Sequence, residues 1–235
     1  MPLLHYDKLL TSQNVVLDMP FYKNGLCDGG KAIDKSKYHN NATITGAVWT
    51  PPYGYTLDGI DDGLTIPNAA SLNFTTAITI EVTLKEITSK LNYGILTKGA
   101  LGDINYELGI SANLLTLGFY KATNPSDQFY QATTYDLTAG VFTHLIFSLT
   151  FASSASAAFY VNGVLKAGTW IYGGDNKAPI ANTSQVEIGN AFYISTTRGN
   201  ILVSEAKLDS YAVTASQAIQ RYLAAKRRMP WANLP

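Results

Sequence analysis

The chain has 235 residues, 46% of them hydrophobic and 14% charged, and its formal net charge is zero. That length suits one sandwich domain, able to bury roughly 70% of the surface its unfolded form exposes without covalent staples. The charge balance argues against a nucleic-acid partner, which would call for a basic patch; the longest basic run is Lys226-Arg227-Arg228. Abundant Tyr (15) and Gly (19) with few charges suit twisted sheets and turns better than helices. The single cysteine, Cys27, has no partner for an internal disulfide. No apolar stretch is long enough to span a bilayer, and Met1 to Asn14 lacks the continuous apolar core of an export signal.

In chain order, residues 1–14 read as an extended arm with little periodicity. Val15 to Phe21 predicts a first strand, with Pro20 marking its end. Residues 24–47, rich in Gly, Asp and Asn, read as a long polar loop or pair of turns. Next comes Leu57-Asp58-Gly59-Ile60-Asp61-Asp62-Gly63-Leu64-Thr65-Ile66-Pro67, a turn followed by a short strand. Ile78, Ile80, Val82 and Leu84 then alternate with Thr79, Glu81, Thr83 and Lys85, the period of a long strand with one buried face. Leu145, Phe147, Leu149 and Phe151 repeat that pattern. Leu114 to Tyr120, Ala157 to Val161 and Val186 to Ile188 supply further strands. Asn162-Gly163, between Phe159-Tyr160-Val161 and Val164-Leu165, predicts a two-residue hairpin of type I′, which needs positive φ at both positions. Between Ile201 and Tyr211 the apolar phase shifts near Glu205-Ala206, as a β-bulge would make it do. One helix is expected: Thr214 to Gln217 has capping-box spacing, Ile219, Tyr222 and Leu223 share a face, and Lys226 to Arg228 suit the negative end. Pro230 stops it.

Several of these segments, in this order, resemble the laminin-G-like branch of the concanavalin-A-like jelly rolls. Val16 to Phe21 is similar to the opening strand. Asp34-Lys35-Ser36 with Asn40-Asn41 resembles an Asp-x-Ser-Gly-x-x-Asn turn, with Lys37 in place of its glycine. Trp49 precedes Leu57 to Asp62, and Phe142-Thr143-His144-Leu145 resembles a Trp-x-His-Val strand with Phe142 replacing the tryptophan. Tyr160 to Gly163, Ile188-Gly189-Asn190, and Gly199 through Tyr222 match the later hairpin, strand and closing helix. The resemblance covers about residues 15–225. It implies an all-β fold: an antiparallel two-sheet jelly-roll sandwich, concanavalin-A-like, with a short C-terminal helix. The expected organisation is an N-terminal arm (1–14), a jelly-roll domain (15–226) and a C-terminal tail (227–235).

Fold does not give function. Glycosidases on related sandwiches carry a Glu-x-Asp-x-Glu strand, and none of the five glutamates (Glu81, Glu86, Glu107, Glu187, Glu205) sits in one. His5, His39 and His144 lack metal-ligand spacing, and His144 reads as a hydrogen-bonded structural residue on a strand. The chain is therefore expected not to be an enzyme. Asp58, Asp61 and Asp62 are candidate ligands for calcium, the one cofactor the chain suggests; the alternative is a turn whose carboxylates accept backbone amides. Tyr172, Asp175, Asn176, Tyr193 and Arg198 lie in two loops with the aromatic and polar mix of a sugar site, candidate ligand-binding residues that also read as ordinary turns or contact surfaces. The expected function is a recognition or structural module on a virion or extracellular surface, such as a phage capsid decoration, tail or fibre-associated protein. Its partners would be other protein subunits and a surface glycan, with no nucleic acid and no membrane span. The rival readings are a lectin module of a secreted protein and a polysaccharide-degrading enzyme.

Overall fold

The structure is a computed structural model that describes residues 14–23, 27–28, 30–100, 103–120, 127–134, 137–174, 177–190 and 198–235. Two antiparallel sheets face each other. The first is ordered β15 (Val164–Lys166), β14 (Ala158–Val161), β13 (Phe142–Thr150), β8 (Ala77–Glu86), β18 (Asn200–Asp209), β6 (Gly54–Asp58), β5 (Val48–Thr50), with β1 (Val15–Met19) also paired to β18. The second is ordered β16 (Gly168–Tyr172), β12 (Asp127–Ala132), β11 (Leu114–Tyr120), β10 (Asp103–Ser111), β9 (Tyr93–Ala100), β17 (Val186–Ile188), β7 (Gly63–Ile66), β4 (Ala42–Thr45), β3 (Lys31–Ala32), β2 (Cys27–Asp28). This is the two-sheet jelly roll that the family resemblance implied.

Alternation decides which side chains fill the core. Ile80, Val82 and Leu84 of β8 and Leu145, Phe147 and Leu149 of β13 point inward and are buried. They meet Leu96, Leu108, Leu117 and Tyr130 from the second sheet. Burying side chains of this size contributes about 1.5–3 kcal/mol each. The other parity of β8 and β13 also avoids solvent, because helix α1 (Ala215–Arg228) lies over the outer face of the first sheet. Ile146 and Tyr160 pack there against Val213 and Ala218.

The local signals read from sequence take the expected geometry. Asn162 (φ 52°) and Gly163 (φ 76°) both adopt positive φ and join β14 to β15. The β18 register shifts between Val203 and Glu205, so the change of apolar phase there is a bulge. Thr214 accepts the Gln217 amide while the Gln217 side chain accepts the Thr214 amide, a closed capping box. The turn at residues 34–41 has a definite task. Asp34, fully buried, accepts the amides of Asp18, Ser36 and Asn40, and Ser36 and Asn40 donate to the Val16 carbonyl. The turn thus satisfies the outer edge of β1, which would otherwise offer unpaired backbone groups.

Residues 227–235, expected as a C-terminal tail, pack against the domain. Arg227 and Arg228 finish the helix, and Pro230–Ala232 form one 3-10 turn. Met229, Ala232 and Leu234 are buried with Phe142, Leu202 and Tyr222 in a second apolar cluster. Trp231 sets its ring 5.0 Å from Tyr53 and 5.5 Å from Phe142. The segment shows no strand or helix period, but its apolar residues still find the outward Phe142 and Leu202. Of the proposed arm at 1–14, only Asn14 lies within the described residues; its carbonyl accepts the Ser210 amide.

Candidate functional site

Among the described residues, polar and aromatic side chains gather in several groups outside the main core, and three of them include residues that the sequence singled out. The first is at one edge of the second sheet. On β16, Tyr172 pairs across the strands with Phe129 of β12 and is 58% exposed; their ring centroids lie 6.1 Å apart. A register shift between Tyr130 and Phe129 lets Trp170 turn inward against Tyr130 (5.2 Å) while Tyr172 turns out. Gln128 accepts the Gly174 amide at 3.0 Å, and Gly173 and Gly174 both hold positive φ. A Cβ at Gly173 would fall 2.3 Å from the Gln128 amide, so the turn sits directly on that side chain. The result is an exposed aromatic shelf at the sheet edge, able to stack on the flat face of a sugar; Gln128, buried on the opposite face of β12, fixes the turn beside it.

The cross-strand row through Tyr172 and Phe129 continues over Gly118, Glu107, Thr97 and Glu187. Glu107 and Glu187 therefore share a face two strands apart, about 9–10 Å between Cα atoms. Glu107 is fully buried. The Glu187 carboxylate is held by the side-chain amides of Gln185 and Asn190. Neither this carboxylate pair nor Phe129 was visible along the sequence, because such neighbours are made by register between strands.

The second group is the acidic turn. Asp58, Asp61 and Asp62 are brought together, with one oxygen of each within 4.8 Å of the others. Their oxygens already serve the turn: Asp58 Oδ1 accepts the amides of Ile60 and Asp61, and Asp62 Oδ2 accepts the Asp58 amide. These backbone bonds hold the Asp58 carboxyl below its ordinary range. Arg198 joins this group rather than Tyr172, donating to the Asp62 carbonyl, while Lys90 donates to the carbonyls of Gly59 and Arg198. Two cations thus occupy the carbonyls beside the carboxylates. Tyr172 and Arg198 lie in different places. Tyr172 is on edge strand β16, whereas Arg198 bridges Gly94 at β9, four strands further in. Asp175, Asn176 and Tyr193 lie outside the described residues.

The third group is an ionic seam between the first sheet and α1. Arg221 Nη1 donates to Glu81 Oε2 and Asp209 Oδ2, and His144 Nε2 lies 2.9 Å from Glu81 Oε1. Lys207 pairs with Glu205 at 2.7 Å, and Arg228 reaches the same carboxylate at 3.0 Å. Burial pushes Glu81 upward, but Lys207, Arg221 and His144 together hold it well below the usual carboxylate range. Burial likewise raises Glu205, and Lys207 with Arg228 outweighs it, so that carboxyl also ends low. Asp209 goes the other way: burial outweighs the attraction of Arg221 and pushes its carboxyl up to about 6. His144 has the structural setting its strand position implied, with no approach to the acidic turn.

The two-sheet sandwich agrees with one family. A laminin-G-type family model, described as the concanavalin A-like lectin/glucanases superfamily, matches residues 58–218. The chain belongs to the concanavalin A-like lectin/glucanase superfamily. Within solved structures, this superfamily member is similar to the binding domain of botulinum neurotoxin serotype G, with 14% identity, a TM-score of 0.65, and coverage of 91% of this chain and 51% of that one. It is also similar to a Trypanosoma rangeli sialidase, with 18% identity, a TM-score of 0.63, and coverage of 93% of this chain but 33% of the sialidase. Botulinum neurotoxin type C, whose cell entry depends upon interaction with two ganglioside molecules, is matched at 12% identity and a TM-score of 0.67, over 92% of this chain and 52% of that one. The lectin-like chain thus spans about half the length of the toxin chains and a third of the sialidase. Comparison with curated protein sequences yields no match. At these identities the likeness is one of fold.

Proposed function

We propose that this chain is a non-catalytic carbohydrate-recognition module that works at a virion or extracellular surface, with the shelf around Tyr172 as its sugar platform. One observation carries the reading: Tyr172 stands 58% exposed against Phe129 at a sheet edge, next to a turn that buried Gln128 holds in place. An aromatic ring of this exposure does little for the core and offers a stacking face to a ligand. The non-catalytic part rests on the carboxylates. Glu107 is buried and Glu187 is tied to two amides, so neither is presented as a free acid or base to a glycosidic bond. The ganglioside named for the matched toxin makes a cell-surface glycan a natural probe. A glycan array followed by calorimetry tests the reading. Saturable binding that falls at least tenfold in Tyr172→Ala, with unchanged folding, supports it; binding that ignores Tyr172, or release of reducing ends from a polysaccharide, overturns it.

A second reading, assembly with other protein subunits, has its own observation. Val164 and Leu165 on edge strand β15 and Ile219 and Leu223 on the adjoining helix are each between 45% and 60% exposed. Gly163 lies against the Ile219–Tyr222 turn, so these residues form one apolar border. Light scattering of the full chain tests it: an oligomer that Leu165→Glu dissolves favours an assembly component of a particle, and a concentration-independent monomer removes that reading.

A further inference from the structure

The ionic seam contains a small space at its open end, where β1, β8, β18 and α1 meet. Its volume is about 20 Å³, and Asp18, Glu81, Lys207, Asp209, Arg221 and Arg228 line it. Three buried polar atoms of those residues have no protein partner: Asp18 Oδ1, Asp209 Oδ1 and Arg228 Nε. Lys207 Nζ is 3.8 Å from Asp18 Oδ1, beyond hydrogen-bond reach. Every other carboxylate oxygen of the seam that faces α1 is taken: both oxygens of Glu81, both of Glu205, and Asp209 Oδ2.

We propose that this space is a binding site for one water molecule, which joins β1, β18 and the end of α1. Volume and chemistry select the ligand together. A space of this size is just above the roughly 10–15 Å³ that one water needs. Two of the free atoms are acceptors and one is a donor. A metal cation would meet the two carboxylate oxygens but would face Arg221, Arg228 and Lys207 at close range. A halide would meet Arg228 Nε but would face the Asp18 and Asp209 oxygens. Water alone donates twice and accepts as well, which matches the set: it donates to Asp18 Oδ1 and Asp209 Oδ1 and accepts from Arg228 Nε. These three atoms then carry no unmet hydrogen bond, which favours a stable buried polar network. Through this water Asp18, otherwise at the margin of the seam, is coupled to the helix.

The test is a crystal structure of the full chain at a resolution that shows ordered water, with parallel crystals soaked in rubidium and in bromide. The expected result is one density peak about 2.7–3.2 Å from all three atoms, with no anomalous signal from either soak. A rubidium signal at that position would make it a cation site, and a bromide signal an anion site; either overturns the proposal. So does a seam in which the three atoms bond one another and leave no peak. A nuclear Overhauser contact between water and the Arg228 Nε proton in solution is the second readout, and its absence in the folded chain also counts against the site.

Discussion

Arg221 and Glu81 stand 140 residues apart in the chain, yet their side chains meet at 2.7 Å in the space between helix and sheet. Both are almost wholly shielded from solvent. Such a pair costs much to desolvate, so its formation says little about net stability, but removing one partner strands the other. Arg221→Met is expected to destabilise the fold by about 3–5 kcal/mol in urea unfolding, because Glu81 and Asp209 lose a shared cation. The double change Arg221→Met with Glu81→Met is expected to recover a large part of that loss. A single variant as stable as the parent would mean that the seam is not closed in solution.

The same seam sets a pH dependence with two limbs. The Asp209 carboxyl is raised to about 6 in the fold, above its ordinary value of 3.8. Between those values the native chain binds more protons than the unfolded one, so this residue's contribution declines as pH rises from about 4 to 6. Glu81 and Glu205 are held low, so their contribution is present above about 4.5 and is lost as pH falls through their folded values. Stability should therefore be greatest between about pH 4.5 and 5.5 and decline on both sides. In Asp209→Asn the decline towards neutral pH should weaken while the acid limb remains; urea midpoints at a series of pH values check both.

The Asn162-Gly163 turn binds two parts of the fold. Asn162 Oδ1 accepts the His144 amide, and a Cβ at Gly163 would lie 3.0 Å from the Tyr222 ring. Gly163→Ala adds both left-handed strain, about 1–2 kcal/mol, and a contact with the helix. The expected result is a thermal midpoint several degrees lower, with faster amide exchange in α1 before β13. Unchanged exchange in α1 would disconnect the turn from the helix.

Trp231 is expected to count as core although it lies four residues from the end of the sequence. Trp231→Ala should cost about 2 kcal/mol, less than a wholly buried tryptophan, by uncovering Phe142 and Tyr53. Removal of 229–235 should cost more and should increase dye binding to exposed apolar surface. A truncated chain of parental stability would show the segment to be a free tail.

At the acidic turn, Asp62→Ala should cost about 1 kcal/mol by leaving the Asp58 amide without its acceptor. Since Lys90 and Arg198 occupy the neighbouring carbonyls, the same cost is expected in calcium and in chelator. A calcium-dependent rise in the thermal midpoint that Asp62→Ala abolishes would assign the turn to the ion instead.

Features that a short stretch of chain specifies were legible in advance. The alternation of residues 78–85, the Asn162-Gly163 hairpin, the Thr214 cap and the bulge before Glu205 each depend on neighbours within about five residues. What could not be read depends on register between distant strands. Glu81 shows its parity in the sequence, but only the alignment of β8 with β18 and the docking of α1 deliver Lys207 and Arg221 to it. Phe129 joins Tyr172 for the same reason, through the pairing of β12 with β16. Arg198 and Tyr172 shared a sugar-site composition, and topology separated them. The tail has no period at all, and its burial follows from an apolar patch on the sheet that strand patterns do not advertise.

The position of β18 has a consequence for how the molecule is made. That strand lies inside the first sheet, flanked by β8 on one side and by β6 and β1 on the other. During synthesis the earlier strands emerge first, so β8 leaves a bare edge, and β1 and β6 lack their partner, until residues 200–209 appear. The half-made sheet holds a slot one strand wide, lined with unpaired amides and with Leu17, Leu57 and Val82. A nascent chain in this state is a target for holding chaperones and for strands of its neighbours on the same message. The slot can fill only after residues 200–209 have left the ribosome, so any pause that holds them inside prolongs its exposure.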